Sequence, residues 1–127
     1  MQIALAVWNG RISPVFDVSR HLMIFEVESG AVVQTFEEIF SSDNPFQKVR
    51  RLADLNVDIL ICGAVSRGVD AMLENNGIER ITFIAGNIDD VVGAYLAGTL
   101  PNPEMAMPGC NSRRQRRRRR GGSYSRL

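Results

Sequence analysis

Apolar residues in this chain fall into short runs whose spacing changes along the sequence. Residues 3–8 are continuously apolar, as in a strand that is buried on both faces. Residues 22–28 and 31–40 flank a short turn, Ser29-Gly30, and this arrangement predicts an antiparallel hairpin. Two further apolar runs predict another two strands, at residues 57–62 and 80–85.

Helical spacing replaces the strand pattern after residue 43. Asn44 is a typical helix cap, and Pro45 suits the first helical position. Ser66 and Asn87 are placed to cap two later helices, and Asn76-Gly77 is a typical left-handed stop between them. In each segment apolar side chains recur every three or four residues. They are Phe46, Val49, Leu52 and Ala53, then Val69, Met72 and Leu73, then Ile88, Val91, Val92, Tyr95 and Leu96.

The predicted order of elements is β-β-β-α-β-α-β-α, which defines an α/β fold. Its second half consists of two βα units, whose right-handed crossovers give parallel strands, and its first half supplies an antiparallel ribbon. We therefore expect one mixed five-stranded sheet with helices on both faces. The same order matches the ribonuclease H-like architecture. Residues 3–8 hold no carboxylate, however, so the two-metal chemistry of a nuclease is not expected.

The segment between the first two strands, residues 9–21, is too long for a tight hairpin. It holds two arginines, a histidine, an aspartate and two serines. Loops of this length in compact domains are usually functional or disordered. Because Pro14, Val15 and Phe16 favour a segment that packs onto the domain, we interpret it as an ordered binding loop.

Ligands in open α/β sheets gather beyond the carboxyl ends of the parallel strands. Each of the three predicted ends carries a glycine, Gly10, Gly63 or Gly86, which lets a ligand approach the backbone. Ser66 begins a helix just after the second end, and the free amides there favour an anion. Two aspartates at the third helix start would repel one. We therefore expect an anionic ligand beside residues 62–68, under the long loop.

The residues expected to contact this anion are basic, hydroxyl and glycine positions at these turns. They are Arg11, Ser13, Arg20, Gly63, Ser66 and Arg67. Purely structural roles remain open alternatives, because a serine at a helix start often only caps the helix and an exposed arginine is often only solvated.

Three residues are candidate metal ligands: Cys62, Cys110 and His21. His21 could bind a metal or lie at the surface at the start of the second strand. Cys110 follows Met105 and Met107, and thioether and thiolate groups are soft donors suited to Cu(I) or an iron–sulfur species. The alternatives are that Cys62 packs as a small apolar side chain and that the arm packs on its own domain. Two cysteines make no disulfide framework, so we expect free thiols.

The sequence lacks the motifs of several enzyme classes. It has no Walker loop, no dinucleotide-binding glycine motif and no nucleophile elbow, so we do not expect an enzyme. No apolar run reaches the roughly 18 residues of a membrane span, and the start does not resemble a signal peptide. We therefore expect a cytoplasmic protein without a membrane partner.

The net charge of +1 combines two parts of opposite sign. Up to Cys110 the chain has seven basic and fourteen acidic residues, a net charge of −7, and beyond it eight arginines give +8. We therefore divide the chain into a domain, residues 1–100, and a Pro/Met arm with an arginine-rich tail expected to be disordered, residues 101–127. Through the arginines between Arg113 and Arg120, the tail could bind nucleic acid non-specifically, contact the acidic body or a protein, or cover an anionic cluster.

Several stretches together resemble the dinitrogenase iron–molybdenum cofactor biosynthesis family. They are the opening Ile-Ala-Leu-Ala-Val, Gly-Arg-Ile-Ser-Pro-Val-Phe-Asp at 10–17, Asp-Ile-Leu-Ile-Cys-Gly-Ala-Val-Ser at 58–66 and Asn-Ile-Asp-Asp-Val-Val at 87–92. The resemblance covers about residues 1–100 and implies a ribonuclease H-like fold without nuclease chemistry. It also implies a small protein, often not an enzyme, that carries or inserts iron–sulfur–molybdenum clusters. Many members have His-Phe-Gly where this chain reads Val15-Phe16-Asp17, and His21 is a hypothetical substitute for that histidine.

The sequence therefore predicts a non-catalytic carrier of an anionic iron–sulfur or molybdenum-containing metal–sulfur cluster, which it exchanges with a donor or recipient protein. In this interpretation thiolates hold the metal, while arginines and helix amides neutralise the cluster. The alternative is a nucleic-acid-binding or regulatory module that acts through the tail.

Overall fold

A computed structural model describes residues 1–100 and 105–107 of the chain. Cys110 and the arginine-rich tail lie outside the described residues. The strands are β1 (Gln2–Trp8), β2 (Arg11–Ile12), β3 (His21–Glu28), β4 (Ala31–Ile39), β5 (Ile59–Ile61) and β6 (Glu79–Ile81). The helices are α1 (Pro45–Asp54), α2 (Arg67–Asn75) and α3 (Ile88–Leu96), and a short 3-10 turn spans Phe16–Val18. Within the described part of the chain, every helix is too short or too polar to cross a membrane.

The six strands form one mixed sheet in the order β4-β3-β1-β5-β6, with β2 paired to β1. Strands β1, β3 and β4 are antiparallel neighbours, whereas β1, β5 and β6 run parallel. The predicted mixed α/β fold is confirmed, but the predicted number of five strands is wrong. Arg11 and Ile12 fold back on Trp8 and Val7 as an additional strand, after a turn in which Asn9 and Gly10 have φ values of 53° and 76°.

The sheet is covered on both faces, because successive side chains of β1 point to opposite sides. Ala4 and Ala6 belong to a core cluster that includes buried residues of α1 and α2. Ile3 and Leu5 belong to a second cluster that includes Ile88 and Val91 of α3. A central strand buried on both sides explains why residues 3–7 are apolar without a break, whereas Trp8 at its end is exposed.

All three predicted helix starts are confirmed by hydrogen bonds from backbone amides to the cap side chain. Asn44 accepts from the N–H groups of Phe46 and Gln47, Ser66 from that of Val69, and Asn87 from that of Asp89. The predicted stop after α2 is also present, since Gly77 has a φ of 74°.

The last strand, Glu79–Ile81, is shorter than residues 80–85, and Phe83 just beyond it has a φ of 62°. The segment that follows pairs with a short antiparallel piece of the arm, residues 105–107. The N–H of Ala85 donates to the carbonyl of Met105 at 2.6 Å, and that of Met107 donates to the carbonyl of Phe83 at 2.8 Å. This part of the predicted arm therefore packs against its own domain.

Candidate binding site

The long loop lies across the carboxyl ends of the parallel strands and is held there mainly by its backbone. The N–H of Ser13 donates to the carbonyl of Ala6 at 2.8 Å. Towards the third turn, the N–H of Ile12 donates to the carbonyl of Gly86 at 2.9 Å, and that of Ile88 donates to the carbonyl of Gly10 at 3.0 Å. The turn at Gly10 and the turn at Gly86, which follow the first and the third parallel strand, therefore contact each other.

The turn at Gly63, which follows the second parallel strand, contacts the middle of the same loop. The N–H of Phe16 donates to the carbonyl of Ala64, and the N–H of Ala64 donates to that of Pro14, both at 2.8 Å. A Cβ atom on Gly63 would lie 2.4 Å from the Pro14 carbonyl oxygen and 2.6 Å from that of Ser13. The absence of a side chain at Gly63 therefore allows the chain's own loop to lie close to this backbone. The loop occupies the place where a ligand was expected.

The helix start expected to meet an external anion holds a carboxylate of the chain itself. The backbone N–H of Ser66 donates to Oδ1 of Asp17 at 3.0 Å, while the Ser66 hydroxyl caps the amide of Val69. Arg67 is exposed next to it. An external anion at this position would have to displace Asp17.

The side chain of Cys62 is fully buried in the core cluster that also contains Ala6, Phe16 and Leu60. Because Cys62 follows Leu60 by two positions, it points to the same face of the sheet, towards α1 and α2. In this position the thiol is a small packing group, and a ligand at the loop surface does not reach it. This burial agrees with the packing alternative, and metal binding by Cys62 stays a prediction.

The loop and the adjoining ends of β1 and β3 enclose an open hollow of about 510 Å³. Its apolar wall is unusually accessible, with Trp8 61%, Val15 38% and Val18 73% exposed. The remaining lining residues are Val7, Ser13, Pro14, Ser19, Arg20 and His21. Three residues predicted from the sequence, Ser13, Arg20 and His21, thus line one cavity. Arg11 is exposed on β2 and is not part of its lining.

The polar groups of the hollow are concentrated at Arg20 and His21. Arg20 is ion-paired with Asp43 at 2.9 Å and also donates to the carbonyl of Phe40 at 3.4 Å, yet half of its side chain remains exposed. His21 is exposed at the start of β3. Within residues 1–100 and 105–107 no three His, Cys, Asp or Glu side chains come together as a metal site. The hollow can therefore hold an anion through apolar contacts and charge-assisted hydrogen bonds. Among its lining residues, His21 is the one that could also bind a metal ion.

Below the loop lies a residue that the sequence reasoning missed. Lys48 of α1 is almost fully buried, and its Nζ donates to the carbonyl oxygen of Asp17 at 2.9 Å and to that of Ser19. The ammonium also lies 5.5 Å from the centre of the Phe40 ring. A signal was available, since Lys48 precedes the buried Leu52 by four residues and so shares its helix face.

Burial lowers the pKa of the Lys48 ammonium from its ordinary value of 10.5. In the unfolded chain the amine keeps its proton up to about pH 10.5, whereas the folded protein releases it at a lower pH. Between these two values the unfolded state binds more protons, so the free energy of unfolding contributed by Lys48 rises with pH. We expect urea unfolding to show wild type gaining stability relative to Lys48→Met as the pH rises towards about 10.5. Parallel pH profiles for the two proteins would contradict this.

These observations define a small mixed α/β domain with a backbone-anchored loop that shapes an open hollow at one end of its sheet. Residues 1–98 match the model of the dinitrogenase iron-molybdenum cofactor family, and the chain belongs to that family. This confirms the resemblance found in the sequence. No curated protein sequence matches the chain.

Solved structures of similar fold include the following three. A dinitrogenase candidate from Methanocaldococcus jannaschii has a TM-score of 0.67 at 17% identity, and the match covers 78% of this chain and 90% of that one. The apo form of the orange protein from Desulfovibrio gigas gives 0.63 at 18% identity, with 79% and 90% covered. A NifB candidate from Thermotoga gives 0.58 at 22% identity, with 77% and 89% covered. At these identities the likeness shows a shared fold.

Proposed function

We propose that this protein binds an anionic iron–sulfur or molybdenum-containing metal–sulfur cluster as cargo and transfers it between proteins without catalysing a reaction. The observation that carries the proposal is the hollow formed by the binding loop and the ends of β1 and β3, which is lined by the exposed apolar residues Trp8, Val15 and Val18 together with Arg20 and His21. Membership of the iron-molybdenum cofactor family supports the choice of cargo.

The chemistry of the lining suits such a cargo. The sulfide surface of a cluster is soft and polarisable, so apolar side chains and the ring of Trp8 are suitable contacts for it. Arg20 is one donor that would offset its negative charge, and His21 would supply a nitrogen ligand or a further donor. In this proposal the described residues bind the cluster mainly by these weak contacts, so that it can be released to another protein.

The remaining parts of the proposal concern the whole protein. We propose a ribonuclease H-like architecture, with a cluster-binding domain in residues 1–100 and a separate arm and tail in 101–127. Cys110 is proposed as an additional soft ligand from the arm. We also propose a cytoplasmic location and a cluster donor or recipient as partner. The exposed rings and methyl groups of Trp8 and Val18 are the kind of surface on which such a partner docks.

The test is uptake of tetrathiomolybdate, with and without ferrous iron and sulfide, by the anaerobic full-length chain. Metal content per chain and visible absorbance are measured after gel filtration. We expect uptake by the full chain and by a version lacking residues 111–127, because the hollow lies within the domain. Uptake that disappears with residues 111–127 would place binding in the tail. Nucleic acid that copurifies only with the full chain would support the alternative function of the tail.

Arg20→Ala tests the hollow itself. Loss of a charge-assisted hydrogen bond is expected to weaken tetrathiomolybdate binding about tenfold, measured by titration of the visible absorbance. Arg51→Ala is the matched control, because Arg51 is also about half exposed and also holds one carboxylate, Glu38, but lies away from the hollow. Equal affinities for these two variants would count against the hollow as the binding site.

A further inference from the structure

We infer that Lys48 is a positioning residue that sets the shape of the hollow by holding loop residues 17–19 from below. The inference deepens the proposed function and rests on it for its effect on binding. Its structural part concerns the conformation of the loop and can be tested without any ligand.

The geometry places one buried donor under the wall of the hollow. Lys48 Nζ contacts the carbonyls of Asp17 and Ser19, the two residues on either side of Val18. Val18 and Ser19 both line the hollow, and Val18 is 73% exposed. The two hydrogen bonds therefore fix the backbone on both sides of a side chain that has almost no packing partners of its own.

Other contacts hold the two ends of residues 17–20, whereas the backbone between these ends is held by Lys48. On one side the Asp17 carboxylate accepts from the N–H of Ser66, and on the other Arg20 is bound to Asp43. Between them the N–H of Ser19 donates to the carbonyl of Phe16 in the 3-10 turn, a bond within the segment itself. Among the side-chain hydrogen bonds of the described residues, only those of Lys48 join the carbonyls of this turn to a helix.

A charged group at this depth is a poor choice for stability alone. Its acceptors are neutral carbonyls, with the face of the Phe40 ring nearby, and the carboxylates of Asp17 and Asp43 act only as neighbouring charges. Lys48→Met loses the two hydrogen bonds of the ammonium but also removes the cost of burying that charge, so the two effects on global stability partly offset each other. Lys48→Met should therefore release the loop more than it weakens the core, which separates a positioning role from a merely structural one.

The test is amide hydrogen exchange of the full chain, followed by mass spectrometry, for wild type, Lys48→Met and Lys48→Arg. Lys48→Met is expected to raise exchange about tenfold in peptides covering residues 16–20, while peptides of β1 and β5 change less than about twofold. Lys48→Arg, which keeps the charge and the donors, should restore most of the protection. Arg51→Met is the control, since it removes another cation of α1 that does not touch the loop.

Binding supplies the second measurement. We expect Lys48→Met to bind tetrathiomolybdate about tenfold more weakly than wild type, with affinity recovered by Lys48→Arg. Unchanged exchange at residues 16–20, an equal rise throughout the sheet, or no recovery with arginine would each overturn the positioning role. If wild type itself takes up no tetrathiomolybdate, the proposed function fails, and the exchange experiment still decides whether Lys48 shapes the hollow.

Discussion

Gly63→Ala is expected to lower the free energy of unfolding by about 3 kcal/mol. The added methyl group would lie 2.4 Å and 2.6 Å from the carbonyl oxygens of Pro14 and Ser13. Both are backbone atoms, so neither can rotate away. Relief requires the loop to move off the sheet, which would break the hydrogen bond between the Ala64 N–H and the Pro14 carbonyl. Urea unfolding followed by circular dichroism measures the change.

Gly68→Ala is the control for this experiment. Gly68 lies in the first turn of α2, and a Cβ there would meet no atom within 4 Å. Alanine is favoured over glycine in a helix, so we expect a gain of up to about 1 kcal/mol. If Gly63→Ala and Gly68→Ala lost similar amounts of stability, the close contact between Gly63 and the loop would not be the cause of the loss.

Phe16→Ala should be at least as damaging, with an expected loss of about 3–5 kcal/mol. Phe16 is fully buried and meets the ring of Phe40 edge to face, with ring centres 6.1 Å apart. Its side chain enters the core cluster that contains buried residues of α1 and α2. Truncation leaves a cavity there and removes the apolar anchor of the binding loop. Chemical denaturation compares the variant with wild type.

The matched substitution is Phe46→Ala. Phe46 lies in the first turn of α1 and is 51% exposed, so its loss should cost less than about 1 kcal/mol. Comparable destabilisation by both phenylalanine variants would show that the loop is not anchored through Phe16.

The sequence predicted those helices and strands whose formation depends on residues close together along the chain. Asn44, Ser66 and Asn87 cap their helices through hydrogen bonds that reach only two or three residues along the chain. The continuous apolar run of β1 is likewise explained by its central place in the sheet. Such signals are readable in any chain because they do not depend on distant partners.

What the sequence did not reveal depends on contacts between distant residues. The carboxylate of Asp17 binds the amide of Ser66, 49 positions away, and thereby occupies the expected anion position. For Cys62 the sequence left packing and metal binding open, and the structure places this residue in the core. Just after the early end of β6, Phe83 has a positive φ, a backbone conformation that is uncommon for a bulky residue and that no sequence pattern indicated. For the hollow, sequence reasoning found Ser13, Arg20 and His21 but not the exposed ring of Trp8.

The binding loop is attached to the sheet through main-chain atoms at Ile12, Ser13, Pro14 and Phe16. Backbone hydrogen bonds do not depend on side-chain identity, so the path of the loop places few demands on the exposed side chains of Arg11, Val15 and Val18. The same frame can therefore present different chemistry to a ligand while its course stays fixed. Evolution, or a protein engineer, can exchange the donors at these positions without redesigning the scaffold that holds them.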